Sequence, residues 1–137
     1  MADKSSYQRF RPLEIGRTFP ETAETLLIDQ YLTNEESASA RVFRVYREVP
    51  AHYHVGSEEY LYVLSGRGMF WMGDPANVAE YGVGDLLFFK RRVVHCMPTI
   101  LEGPVIFMAI DTPPRDPKDI VFVNPADGTP ETFVQGY

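Results

Sequence analysis

Three histidines and a glutamate are the residues of this chain best spaced to do chemistry together. His52 and His54 are separated only by Tyr53, Glu59 follows the short run Val55-Gly56-Ser57-Glu58, and His95 comes from a later segment. On an extended strand, residues two apart point to the same face, so both neighbouring imidazoles can approach one ion. The intervening run reads as a tight turn that brings Glu59 back alongside them. Three imidazoles and a carboxylate are a borderline-soft donor set. It suits Fe(II), Mn(II), Ni(II), Co(II), Cu(II) or Zn(II), and it disfavours Mg and Ca, which want more oxygen. Four protein ligands leave two octahedral positions for water, dioxygen or a bidentate substrate, which is what a catalytic metal needs. His-x-His alone is a weak signal, because strand alternation also brings unrelated histidines together.

The elements that must position these residues can be read from the rest of the chain. Its 137 residues suit one domain, and a 45% hydrophobic, 13% aromatic composition is enough for one core. The net charge of −6, with no long basic stripe, argues against nucleic acid and anionic membranes as partners. One cysteine excludes an internal disulfide and a thiolate zinc cluster. No apolar run approaches the ~20 residues of a membrane helix, and the start has no apolar stretch suited to secretion. The expectation is a cytoplasmic, single-domain protein over residues 1–137.

Alternation and β-branched or aromatic residues mark short strands at Arg41–Glu48, Glu59–Ser65, Met69–Met72, Leu86–Phe89, Val93–Met97 and Val105–Ile110. Gly66-Arg67-Gly68, Gly73-Asp74-Pro75 and Tyr81 to Asp85 read as turns. Residues 1–23 read as a polar lead-in with at most one short strand. Leu26 to Tyr31 fits strand or helix equally. The proline-rich tail from residue 111 reads as an extended strap, ordered by Ile120, Phe122 and Phe133. No 3.6-residue period of helical length follows residue 40, so the class is all-β, a sandwich or barrel.

The run HYHVGSEEYLYVLSG resembles the first motif of the cupin superfamily: His52, His54, four residues, Glu59, six residues, Gly66. Gly84 and His95 match the second motif, in which Lys90, Arg92 and Thr99 replace the usual Pro, Gly and Asn; Tyr46 stands where the first motif opens with Gly. The likeness covers residues 41–110. It implies a small antiparallel β-barrel of jelly-roll type with extended arms at 1–23 and 111–137, and one divalent transition metal held by His52, His54, Glu59 and His95. Glu58 is the rival for Glu59. Adjacent strand residues face opposite sides, so both cannot ligate, and the count to Gly66 favours Glu59.

The fold does not select a reaction. The ligand set implies an oxygenase of a small organic acid; the alternatives are a metal-dependent lyase or isomerase, and a binding module without turnover. A carboxylate ligand would need a cation. Alternation counted back from His95 favours Arg91 within the basic run Lys90-Arg91-Arg92, which otherwise is a solvated turn. Arg44 and Tyr46, on the strand leading to His52, are further candidates; an inward Arg44 would need a carboxylate partner. Tyr60, Tyr62 and Cys96 should face away from the ligands. A homodimer is expected, paired through residues 19–32 and 118–134.

Overall fold

Two long strands organise the molecule. The computed structural model describes residues 6–135, the side chain of Gln135 excepted, so the outermost residues of both expected arms lie outside it. In chain order the elements are α1 (Pro12–Arg17), β1 (Leu27–Asn34), β2 (Ser39–Val45), β3 (Val49–Tyr53), β4 (Glu58–Met72), β5 (Ala79–Tyr81), β6 (Leu86–Phe89), β7 (His95–Thr112), β8 (Val121–Phe122), α2 (Pro130–Phe133) and β9 (Val134–Gln135). Main-chain pairing runs β5-β4-β7-β2-β1-β9; β3 adds to β7 and β8, and β6 adds to β4. All pairs are antiparallel except β1 with β9. Among the described residues the pairings do not close the sheet into a ring. The fold is mostly β, as expected, and its sheet is open where a closed barrel was expected.

Two expected breaks turn out to be strand interior. Gly66-Arg67-Gly68 is not a turn but the middle of β4, where the register against β7 shifts repeatedly between Val63 and Gly68. Gly66 sits at φ +84°, and a Cβ there would lie 2.6 Å from the Pro104 carbonyl oxygen. Glycine at this point marks a bulge and a close backbone approach, which a sequence reader easily mistakes for a hairpin turn. Likewise β7 continues through Gly103 and Pro104 for 18 residues. The lead-in, read as irregular with at most one short strand, holds a helix. Pro12 opens α1 at a position where its missing N–H costs nothing. Gly16 then lets the helix settle on Ile106, whose Cγ2 would be 2.5 Å from an added Cβ.

The core lies on the inner face of the sheet. Arg41, Phe43 and Val45 of β2 point inward, and Phe43 stacks on Phe107 at 5.4 Å between ring centroids. Tyr81 also packs on Phe107, at 5.4 Å between centroids. The C-terminal strap does fold over this core: Ile120, Phe122 and Phe133 are all buried. A Thr129–Thr132 capping box starts α2, and β9 then pairs with β1 of the same chain. No helix among the described residues is long and apolar enough to cross a membrane.

Candidate metal centre

Register brings the histidines together. His95 opens β7 directly across from His52 of β3, so their side chains are cross-strand neighbours. His54 follows β3 at the same parity as His52. All three are buried, and one ring nitrogen of each lies within 4.8 Å of one from both others. The rings of His52 and His95 are 4.2 Å apart between centroids.

Each ring is held from behind. His52 Nδ1 donates to the Pro50 carbonyl at 2.7 Å, His54 Nδ1 to the Asp119 carbonyl at 2.6 Å, and His95 Nδ1 to the Val93 carbonyl at 3.0 Å. A carbonyl oxygen can only accept, so the proton of each neutral ring sits on Nδ1. The lone pair is then on Nε2, the form that binds a metal ion. Asp119 also fixes the approach to His54: its carboxylate accepts from the Val55 and Gly56 amides at 2.9 and 2.7 Å. Burial makes protonation costly. It lowers His52 to about 4 and holds His54 and His95 well below the ordinary imidazole value.

Glu59 stands beside the three rings rather than among them. Its Oε1 is 3.8 Å from His54 Nε2, and its Oε2 accepts from Arg41 Nη2 at 2.6 Å and Arg115 Nη1 at 2.9 Å. Glu59 of β4 lies opposite Asp111 of β7, which would set two carboxylates against each other without a cation. Arg41 supplies that cation. Its Nε and Nη2 fork onto Asp111 at 2.6 and 3.2 Å, and its Nη1 reaches Asp29 at 2.6 Å. Burial, with Asp111 adding, pushes the Glu59 carboxyl up to about 8 in the metal-free chain. At Asp111 burial acts upward but is outweighed by Arg41, which holds that carboxyl below its usual range. Glu58 is half-buried at the start of β4, at the opposite parity.

A cavity of about 40 Å³ opens between the rings and these charges, bounded by apolar side chains that include Phe43, Leu61, Met97 and Phe133. That is room for about three waters. Phe133 of the strap packs on His52 at 5.0 Å, and Phe89 stacks on His95 at 3.7 Å.

The other sequence candidates lie elsewhere. Arg91 is exposed. The parity count from His95 fails because β7 begins only at that residue, and Lys90 to Val93 form a turn, closed by the Val93 amide on the Lys90 carbonyl at 3.2 Å, with Arg92 at φ +66°. Arg44 is on the outer face of β2, its guanidinium 4.9 Å from the Tyr46 ring, while the Tyr46 hydroxyl donates to the Pro20 carbonyl at 2.6 Å. Both hold the N-terminal segment and neither lines the cavity. Tyr60 and Tyr62 are exposed, and Cys96 is half-buried with its thiol toward the Val49 carbonyl, away from the ligands. Sequence reading missed Arg41, Asp29, Asp111 and Arg115. One signal was available for Arg41: it shares strand parity with Phe43 and Val45.

The charges predict a stability maximum for metal-free protein near pH 6.5. Between pH 6.5 and about 4 the unfolded chain protonates imidazoles that the folded chain keeps neutral, so stability falls with acidification. Glu59 has the opposite sign: folded, it keeps a proton between pH 4.5 and about 8, so stability falls as pH rises through that window. Below pH 6.5 three imidazoles outweigh one carboxyl, and above it Glu59 acts alone. Each net proton changes stability by ~1.4 kcal/mol per pH unit. Urea midpoints measured from pH 4.5 to 8 check this; midpoints that rise steadily toward pH 4.5 would contradict it.

Comparison with known proteins follows the same lines. A family model described as a cupin domain matches residues 41–111. No curated protein sequence matches the chain. Among solved structures, an uncharacterised conserved protein with a double-stranded β-helix domain from Klebsiella pneumoniae is similar at 20% identity and TM-score 0.61, over 78% of this chain and 91% of that one. Pac13, a nucleoside dehydratase from Streptomyces, is similar at 16% identity and TM-score 0.51, over 72% and 90%. The DMSP lyase DddQ from Ruegeria pomeroyi is similar at 22% identity and TM-score 0.55, over 63% of this chain and 46% of that one. At these identities the likeness is one of fold.

Proposed function

The chain belongs to the cupin family, and from that premise we propose that it is a mononuclear divalent-metal protein acting on a small molecule by elimination or isomerisation. The observation that carries the reading is the set of three Nδ1–carbonyl hydrogen bonds, which leave a neutral Nε2 lone pair on each of three buried rings that bring one nitrogen apiece within 4.8 Å of one another. That donor set fits a first-row divalent ion. His52, His54 and His95 would hold it, with Glu59 Oε1 as fourth ligand. When bound, the ion supplies Lewis-acid polarisation of a substrate oxygen.

The chain's own groups do the rest. Arg41 and Arg115 tie Glu59 Oε2, so Oε1 is the oxygen left toward His54. Phe89 and Phe133 cover His95 and His52 and keep water from their faces. Asp119 anchors the strap to the loop that carries His54. The reaction class leans on the likeness to a lyase and a dehydratase, and the oxygenase reading remains the alternative, because three imidazoles accept Fe(II) as well as Zn(II).

Elemental analysis of protein purified without added metal tests the proposal. One equivalent of a first-row divalent metal per chain is expected, and a metal-free protein that also takes none up on incubation would refute it. Dioxygen consumption by the iron-loaded form would move the assignment to the oxygenase.

A further inference from the structure

The two buried arginines of the centre are not equally satisfied. Arg41 uses the Nε–Nη2 edge of its guanidinium to grip the Asp111 carboxylate, and its Nη1 is taken by Asp29. Arg115 also lines the cavity and is 7% exposed. Among the described residues its one side-chain bond runs from Nη1 to Glu59, and its buried Nε meets no acceptor. The edge that holds a carboxylate in Arg41 is therefore unfilled in Arg115. A buried donor without a partner costs free energy until an acceptor arrives. The residue is fixed in place from both sides of its backbone: its amide donates to Ser39 Oγ at 3.1 Å, and its carbonyl accepts from the Tyr31 hydroxyl at 2.7 Å.

Charge points the same way. The cluster contains three carboxylates, Asp29, Glu59 and Asp111, against two guanidiniums, Arg41 and Arg115. With Glu59 ionised as its fourth ligand, a divalent ion on the three histidines brings the sum to +1, which one monoanion would cancel. Uncompensated charge is expensive in a buried site. A carboxylate carries that single charge and matches the fork of a guanidinium edge.

We propose that the cavity binds a small monocarboxylate, clamped by the Nε–Nη2 edge of Arg115 beside the three histidines. The inference rests on the metal reading for its charge balance and names the ligand class of that same site. The cation is Arg115 of the strap, in place of the exposed Arg91.

Acetate and its uncharged isostere acetamide are the probes, titrated calorimetrically into the zinc-loaded protein. Acetate is expected to bind at least tenfold more tightly than acetamide. Arg115→Gln is expected to weaken acetate about ten- to a hundredfold and to remove that preference, whereas Arg91→Gln keeps it. Should Arg115→Gln fail to fold, Arg115→Lys, which keeps the charge but not the planar fork, must reduce the preference. Equal binding of the two probes by the parent, or a preference that survives at position 115, overturns the clamp. Zinc content on the same samples separates the two readings. A protein that takes up no zinc refutes the metal site, and the same titrations on metal-free protein then decide the clamp alone, with equal binding overturning it.

Discussion

Arg41→Met is expected to destabilise the protein by ~3–5 kcal/mol, the cost of removing one partner from a buried charge network. Arg41 contacts Asp29, Glu59 and Asp111, all within 2.6 Å by their nearest atoms, and every one of these side chains is buried. Without it, Asp111 faces Glu59 across the β4–β7 pair with only Arg115 near. Protonating the carboxyls would recover part of the loss, so the deficit should shrink as pH falls toward 5. Urea denaturation of parent and variant at pH 7 measures it. A difference below about 1 kcal/mol would mean that solvent reaches the cluster and that the network does not hold the site.

Replacing a ring has its largest effect on the metal. His95→Ala should weaken divalent metal binding by more than about a hundredfold, since even loss of a group that merely orients a ligand costs ten- to a hundredfold. His95 is the ring that joins the two halves of the site, across from His52 and stacked on Phe89. Competition against a chromogenic chelator gives the affinity. Cys96→Ser, one residue away with its thiol turned to the Val49 carbonyl, should leave it unchanged. Glu59→Gln should lower affinity more than Glu58→Gln; equal effects would remove Glu59 from the ligand set.

How much of this could be read from sequence depended on sequence distance and on strand regularity. His52 and His54 were legible because period-two alternation is local, and His95 because the family spacing reaches it. The turns at Gly73 and Gly84 were legible from glycine, and both have positive φ. Gly66 carries the same chemical signal yet serves a bulge within β4, because glycine permits an unusual backbone without saying which one. Helix α1 spans too few residues to show a period and is held by Gly16 against Ile106, a contact invisible in the local sequence. The charge network joins residues from β1, β2, β4, β7 and the strap. Each charge in it taken alone resembles a surface residue, and only the fold makes them neighbours. The parity count that favoured Arg91 assumed a regular strand before His95, and the left-handed Arg92 broke that assumption.

The central claim is that His52, His54 and His95 hold one divalent ion through their Nε2 atoms. X-ray absorption at the zinc edge of zinc-loaded, desalted protein tests it most directly. One zinc per chain, with three imidazole nitrogens at ~2.0–2.1 Å, is the expected result. No zinc retained after desalting, or a shell with fewer than three imidazoles, would contradict it.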